Sequence, residues 1–254
     1  MLIDTHAHYD DAAYDEDRGQ LIDEMNNENI IAVNVGASLA STFAAVALSE
    51  KYENIYAGVG MHPDEVAELT EDDMDKLIEL SSNKKVVTIG EIGLDYYWDN
   101  SPRDIQKKWF IRQIEVARQV KLPVSIHSRE AAQDTFDIIS KHHAYDNGGI
   151  VHCYSYGLEM AKEYLKMGMC FGIGGVVTFK NSKKLKEVVD YIPMENIVLE
   201  TDSPYLAPVP HRGERNSSRN LVYVAEAIAQ IKGLPASEVI DTTTLNAKRV
   251  YGLN

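Results

Sequence analysis

A short apolar run ends in two histidines in the stretch Leu2-Ile3-Asp4-Thr5-His6-Ala7-His8. If residues 2–5 form a β-strand, alternate side chains share one face, so His6 and His8 project to the same side. Ala7 between them is too small to interfere. Two imidazoles at a strand end suit a metal ion, although two neighbouring histidines are more often solvated or hydrogen-bonded. The assignment therefore depends on further ligands at equivalent strand ends.

Length and composition predict one domain over residues 1–254, because no linker or shift in composition divides the chain and an α/β barrel reaches this size undivided. Such a chain buries roughly three-quarters of its unfolded surface without needing disulfides. The two cysteines, Cys153 and Cys170, are typical of a reducing compartment. No signal-peptide pattern and no long apolar span occurs, so we expect a cytoplasmic protein without membrane contact.

The net charge of −14 argues against a protein that coats nucleic acid through a broad basic surface. It leaves room for a nucleic-acid enzyme, because bound metal ions reverse the potential locally. The oligomeric state is left open by the sequence.

Short β-rich apolar runs alternate with amphipathic helical segments along the whole chain. Strands that are each followed by a helix predict parallel pairing in an α/β fold, the closed (β/α)8 TIM barrel. An open doubly wound sheet is the alternative. Residues 235–252 predict an extra C-terminal helix outside the barrel. The predicted strands are residues 2–5, 30–35, 55–59, 86–89, 124–126, 150–151, 169–173 and 197–200.

Polar residues gather at the C-terminal ends of these strands, where such barrels carry their chemistry. Five of the eight histidines lie at or just beyond a predicted strand end. Neutral imidazoles and carboxylates suit divalent Mg, Mn, Zn or Fe. The candidates exceed what one tetrahedral ion uses, so we predict two ions that share Glu91. The six predicted metal ligands are His6, His8, Glu91, His127, His152 and Asp202.

Each candidate also has an ordinary structural explanation. Asp202 precedes Ser203-Pro204 and could be a turn residue, and Glu91 could pair with Arg129. The coincidence of six such placements at one end of the barrel favours the metal site. Two divalent ions outweigh the charges of Glu91, Asp202 and a bridging hydroxide, so the mouth favours an anionic substrate such as a phosphate ester.

Six motifs at strand ends extend along nearly the whole chain: Asp4-Thr5-His6-Ala7-His8, Gly60-Met61-His62-Pro63, Gly90-Glu91-Ile92-Gly93-Leu94-Asp95-Tyr96, His127-Ser128-Arg129, His152-Cys153-Tyr154-Ser155 and Glu200-Thr201-Asp202-Ser203-Pro204-Tyr205-Leu206-Ala207-Pro208. Together they closely resemble the TatD family of metal-dependent deoxyribonucleases, within the wider amidohydrolase-like superfamily. The resemblance implies a TIM-like barrel, a divalent metal centre and hydrolysis of DNA phosphodiester bonds. Its ligand positions fall on the same six residues.

The chain departs from the family pattern in two places. Tyr156 stands where the family usually has glycine, and Ser217-Ser218 follows Arg215-Asn216 where the family usually has Glu-Pro. Both departures leave the predicted ligands intact and bear on substrate preference and turnover.

The predicted reaction is attack of a metal-activated hydroxide on a phosphodiester phosphorus. Asp202 and Glu91 are the predicted catalytic residues, because Glu91 bridges the ions and Asp202 could orient the attacking water or take its proton. One ion would be held by His6, His8, Glu91 and Asp202, and the other by Glu91, His127 and His152.

His62 and Arg129 are predicted to bind substrate. Arg129 could clamp a phosphate bidentately, and a salt bridge to Asp95 is the alternative. The neighbouring Tyr96, Tyr97 and Trp98 could stack an unpaired base, although core packing is the commoner role of such residues.

The acidic surface favours single-stranded DNA or DNA ends as the partner, and hence an exonuclease-type activity. An amidohydrolase or lactonase that cleaves a small-molecule C–N or ester bond with the same metal site is the main alternative, because a fold does not fix a substrate. A catalytically inactive barrel that serves as a binding protein is a further alternative, against which the complete ligand set argues.

Overall fold

Eight parallel strands follow one another around a sheet in the order of the sequence. The structure is a computed structural model that describes residues 1–253. Ala7 at the end of the first strand forms a parallel bridge to Ser203 beyond the last one, which closes the ring. The predicted TIM barrel is therefore confirmed and the open sheet is excluded. The strands are β1 Leu2–Ala7, β2 Ile30–Val35, β3 Ile55–Val59, β4 Val86–Asp95, β5 Val124–Arg129, β6 Gly149–Val151, β7 Cys170–Ile173 and β8 Ile197–Leu199.

Helices pack around this barrel, and their ends follow local chemistry. The second helix begins at a capping box, in which Ser38 Oγ accepts from the Ser41 N–H and Ser41 Oγ accepts from the Ser38 N–H. The eighth helix ends at Lys232 and is followed by Gly233, whose φ of +67° suits a left-handed cap. The helices are α1 Arg18–Asn27, α2 Leu39–Lys51, α3 Glu71–Leu80, α4 Arg103–Val120, α5 Ala132–Lys141, α6 Leu158–Lys166, α7 Lys183–Tyr191, α8 Leu221–Lys232 and α9 Ala236–Tyr251.

The extra C-terminal helix, α9, is present and covers the N-terminal end of the barrel. Asn246 donates to the carbonyl of Ile197 at the start of β8, and Thr244 donates to the carbonyl of Met1. The Tyr251 hydroxyl reaches the Thr5 carbonyl at 3.0 Å. Since α9 covers this end, the opposite end carries the mouth.

Strands β4 and β5 extend further than predicted, so Glu91 and His127 lie within strands and not beyond them. The glycines around Glu91 permit this extension. Gly93 has φ +149°, and a Cβ there would lie 1.9 Å from the His127 carbonyl oxygen. Only glycine lets the two strands approach this closely.

Residues 1–253 contain no helix that combines the length and the apolar character needed to cross a membrane. The assignment of residues 1–254 to one domain stays a prediction, and residue 254 lies outside the described part of the chain.

Candidate metal centre

All six predicted ligands meet at the C-terminal mouth of the barrel. His6, Glu91 and His127 lie in β1, β4 and β5. The other three side chains lie in the loops that follow β1, β6 and β8. Hydrogen bonds from His8 N–H to the Ser203 carbonyl and from Asp202 N–H to the His6 carbonyl hold the first and last of these loops together. The backbone topology thus brings the six side chains to one end of the barrel.

Glu91 lies at the centre of the cluster, and its two oxygens face different histidines. Oε2 lies 3.5 Å from His6 Nε2 and 3.8 Å from His8 Nε2. Oε1 lies 2.8 Å from His127 Nδ1 and 3.8 Å from His152 Nε2. A carboxylate placed between two imidazole pairs has the arrangement expected of a bridging ligand.

Asp202 lies close to one histidine of each pair. Its Oδ1 lies 3.4 Å from His8 Nε2 and 3.7 Å from His152 Nε2. The Asp202 side chain is 21% exposed and the Glu91 side chain is 6% exposed. Asp202 therefore reaches the solvent of the mouth, and Glu91 is enclosed beneath it.

These separations fit a set of ligands around divalent cations. Bonds of about 2.0–2.2 Å to nitrogen and oxygen place neighbouring ligand atoms roughly 3.0–3.5 Å apart. Among the groups of ligand atoms that lie within 4.8 Å of one another, two correspond to the predicted sites apart from Asp202, which is grouped with His6 and His152. The first group is His6, His8 and Glu91, and the second is Glu91, His127 and His152.

Oxygen atoms behind the imidazoles orient their outer nitrogens. The Val35 carbonyl lies 2.8 Å from His8 Nδ1, and Ser125 Oγ lies 3.3 Å from His6 Nδ1. Such outer contacts fix the ring orientation and the tautomer of a metal-binding histidine.

Two buried carboxylates make the corresponding outer contacts to the rings of His127 and His152. Asp95 Oδ2 lies 3.0 Å from His127 Nε2, and Glu200 Oε2 lies 3.1 Å from His152 Nδ1. Neither Asp95 nor Glu200 is predicted to have this role from the sequence. A signal for both existed, because Asp95 and Glu200 are close in sequence to the predicted ligands Glu91 and Asp202 in the same two motifs.

The electrostatics of the cluster favour bound positive charge. Burial alone lowers the pKa of a histidine, but Asp202 and Glu91 outweigh it and raise the pKa of His8 to about 9. In the same way Asp95 and Glu91 raise the pKa of His127 to about 9. Burial raises the pKa of Glu91, yet the surrounding histidines hold it well below its usual range. The carboxylates therefore create a potential that attracts cations.

His62 lies at the edge of this cluster and lines the cavity above it. Its Nδ1 accepts the Asp64 N–H at 3.2 Å, and its Nε2 lies 4.0 Å from Glu91 Oε1. Burial and the neighbouring His127 lower the pKa of His62 to about 4. A neutral imidazole with one free nitrogen is suited to a substrate contact.

Arg129 does not form the alternative salt bridges considered for it. Glu91 contacts histidines, and Asp95 contacts His127 and accepts the N–H groups of the following loop. The Arg129 guanidinium instead lies 3.9 Å from the centre of the Tyr97 ring and lines the cavity.

The two departures from the family pattern form internal contacts. The Tyr156 hydroxyl lies 2.8 Å from Ser128 Oγ and accepts the Ala131 N–H at 3.2 Å, which braces the end of β5. Ser218 Oγ donates to the buried carboxylate of Asp4 at 2.6 Å.

Comparison with known proteins agrees with this description. A family model for TatD related DNase matches residues 3–252. An uncharacterized metal-dependent hydrolase of Bacillus subtilis, YabD, is 44% identical, with 100% of both chains covered. The uncharacterized metal-dependent hydrolase YcfH of Escherichia coli is 32% identical over 100% of this chain and 97% of that protein. The crystal structure of YjjV, a TatD homologue from Escherichia coli, has a TM-score of 0.92 at 25% identity, covering 100% of this chain and 98% of that one.

The parallel barrel carries a histidine and carboxylate cluster at its mouth, and relatives that match over the whole chain are named metal-dependent hydrolases. The chain is therefore a metal-dependent hydrolase. The chain belongs to the family of TatD-related DNases. The resemblance inferred from the strand-end motifs is confirmed.

Proposed function

We propose that the protein hydrolyses phosphodiester bonds of DNA, at single-stranded segments or ends, with two divalent ions at the barrel mouth. The position of Glu91 between two imidazole pairs carries this proposal. His6, His8, Glu91 and Asp202 would hold one ion, and Glu91, His127 and His152 the other. Bound divalent ions supply Lewis acidity and a water of lowered pKa.

Asp202 is the proposed proton acceptor for the attacking water. Burial raises its pKa, but the contact with His8 and the nearby His152 lower it below its usual value. The carboxylate is therefore ionised at neutral pH and can take a proton. Its partial exposure supports a role on the substrate side of the cluster. The more enclosed Glu91 is proposed to act as a metal ligand.

Two residues at the rim are proposed to position the scissile phosphate. Neutral His62 offers Nε2 to a phosphate oxygen, and the guanidinium of Arg129 offers a fixed positive charge. The cavity between them has a volume of about 820 Å³. This lies within the roughly 300–1,000 Å³ of sites that enclose small ligands, so a strand end fits better than a long duplex footprint.

Release of nucleotides from labelled single-stranded DNA in the presence of Mg²⁺ or Mn²⁺ tests the proposal. Removing an outer contact to a metal ligand typically lowers activity by roughly 10–100-fold. Glu91→Ala removes a proposed ligand itself, so its activity should fall by more than this. Glu187→Ala is the matched control, since Glu187 is exposed on α7. Equal activity of Glu91→Ala and the wild-type protein would contradict the proposal.

The same preparations should be assayed on small amides and lactones. An amidohydrolase or lactonase would use the same ligands, so Glu91→Ala alone does not separate the two functions. Turnover of small amides or lactones without release of nucleotides would replace the nuclease assignment by this alternative.

A further inference from the structure

Two aromatic side chains in the loop after β4 are exposed beside the cavity of the metal centre, whereas the preceding Tyr96 is not. Tyr96 is half-buried, packs against the core and donates to Asp134 at 2.7 Å. The next two side chains, Tyr97 and Trp98, are 51% and 58% exposed. The core-packing explanation therefore accounts for Tyr96 alone.

The backbone that carries these rings is firmly held. Gln106 brackets Asp95, with Oε1 accepting the Asp95 N–H at 2.9 Å and Nε2 donating to the Asp95 carbonyl at 3.0 Å. The Tyr96 N–H donates to the Arg129 carbonyl at 2.9 Å. Exposed rings on a braced loop lose little conformational freedom when a ligand stacks on them.

The same loop is tied directly to the metal centre. Asp95 Oδ1 accepts the N–H groups of Tyr97 and Trp98, both at 2.9 Å. The other oxygen of Asp95 lies 3.0 Å from His127 Nε2. One carboxylate thus sets the position of the aromatic pair relative to a predicted metal ligand.

Arg129 lies beside both aromatic rings and is closer to Tyr97. The Arg129 guanidinium lies 3.9 Å from the centre of the Tyr97 ring and 5.5 Å from the centre of the Trp98 ring. The two rings meet edge to face, with centres 5.0 Å apart. Trp98 and Arg129 both line the cavity that contains Glu91.

The charge of the cavity indicates which part of a nucleic acid these aromatic residues bind. In the described residues 1–253, Arg129 is the only lysine or arginine that lines the cavity, and the lining also includes Asp10, Asp11, Asp64 and Glu65. Contacts to several backbone phosphates are therefore not provided here. Stacking on an aromatic face needs no additional positive charge and accepts every base.

We propose that Trp98, supported edge to face by Tyr97 and flanked by Arg129, forms a subsite for an unpaired nucleobase next to the phosphodiester bond to be cleaved. This inference rests on the proposed nuclease function and deepens it. It assigns single-stranded nucleic acid as the substrate, because a base within a duplex does not offer its face to a side chain.

Intrinsic fluorescence provides a direct test. The chain has two tryptophans, and Trp109 is buried at 3% exposure. A single-stranded DNA tetranucleotide with phosphorothioate linkages should quench Trp98, and the same backbone without bases should not. Quenching should persist in Trp109→Phe and vanish in Trp98→Phe. If Trp109→Phe fails to fold, the quenching of Trp98 is obtained by subtracting the fluorescence change of Trp98→Phe from that of the wild-type protein.

Binding affinity provides the second readout, measured by anisotropy of the labelled tetranucleotide with Mn²⁺ present. Trp98→Ala should weaken binding of the base-containing probe by about 5- to 150-fold, the range of one stacked base. Trp98→Phe retains a ring and should retain most of the affinity. Equal affinity of Trp98→Ala and the wild-type protein, or equal binding of the probe without bases, would overturn the subsite.

The two proposals fail in different ways. DNA hydrolysis without base-dependent quenching would overturn the subsite and leave the nuclease function in place. Base-dependent quenching without hydrolysis of DNA would support the subsite and overturn the nuclease function.

Discussion

Glu200 lies behind His152 in a space that exists only because residue 172 is glycine. Its Oε2 is 3.1 Å from His152 Nδ1, which leaves Nε2 of the ring facing Glu91 and Asp202. A Cβ on Gly172 would lie 2.0 Å from that oxygen. Glu200 is therefore a positioning residue that acts through His152.

Replacing Glu200 by Gln should weaken metal binding without removing a ligand. Burial lowers the pKa of His152, and Glu200 is the main group that raises it to about 9. Loss of this charge makes the imidazole a weaker base, and we expect affinity for Mn²⁺ to fall by about 10–100-fold. Calorimetric titration of the chelator-treated protein measures this. An unchanged affinity in Glu200→Gln, with Glu187→Gln as the surface control, would show that the contact has no positioning role.

Gly93→Ala should damage both the fold and the site. Gly93 combines a φ of +149° with close approach to the His127 carbonyl, so an added methyl group strains β4 and pushes it away from β5. We expect a loss of at least about 2 kcal/mol in the free energy of unfolding.

Gly157→Ala is the matched control, since no atom lies within 4 Å of a Cβ at that position and its φ of −84° is ordinary. Denaturant unfolding of the two variants measures the difference. Equal stabilities would contradict the role assigned to Gly93.

The sequence predicted the barrel and the identity of the clustered residues, because both depend on local patterns. Alternation of apolar runs with helical segments is periodic along the chain, and histidines at strand ends are visible one by one. The extension of β4 was missed because the glycines around Glu91 are typical of a strand end. Their actual effect, close packing against His127, depends on a neighbouring strand.

The outer contacts could not be predicted for a similar reason. Asp95 and Glu200 contact the rings of other strands, His127 and His152, and such pairs appear only once the barrel is assembled. The sequence also treated Tyr96, Tyr97 and Trp98 as one group. The fold separates them, because only the first of the three faces the core.

Ser218→Ala should destabilise the protein through Asp4. Ser218 Oγ donates to the buried Asp4 carboxylate at 2.6 Å and lies 2.7 Å from the Tyr9 hydroxyl. Burial already raises the pKa of Asp4 to about 7, despite the hydrogen bonds from Ser218 and Thr201. Removing a donor from a buried acceptor costs about 1–3 kcal/mol.

Ser217→Ala is the control for this change, since the Ser217 side chain is half-buried and lies next to Ser218. Thermal unfolding should separate the two variants, while the metal content of both stays that of the wild-type protein. Loss of metal in Ser218→Ala at unchanged stability would contradict a purely structural role.

Stability of the chelator-treated protein should fall between about pH 6.5 and pH 9. Neighbouring carboxylates overcome burial and raise the pKa of His8, His127 and His152 to about 9, against about 6.5 in an unfolded chain. A raised pKa means that the folded state binds protons more tightly, so the stabilisation is complete below pH 6.5 and is lost as the pH rises through 9. His62 affects the stability in the opposite direction, and its effect lies at acidic pH. Burial lowers its pKa to about 4, and its contribution is lost as the pH falls from 6.5 to 4.

Divalent ions should remove the alkaline part of this dependence, because a bound cation takes the place of the protons on His8, His127 and His152. The melting temperature measured at pH 6.5, 7.5 and 9 should fall in chelator and stay nearly level with Mn²⁺. Metal binding near pH 7.5 should also release protons, which calorimetry in buffers of different ionisation enthalpy detects. A melting temperature in chelator that rises from pH 6.5 to pH 9 would show that these histidines are not held protonated by the carboxylates around them.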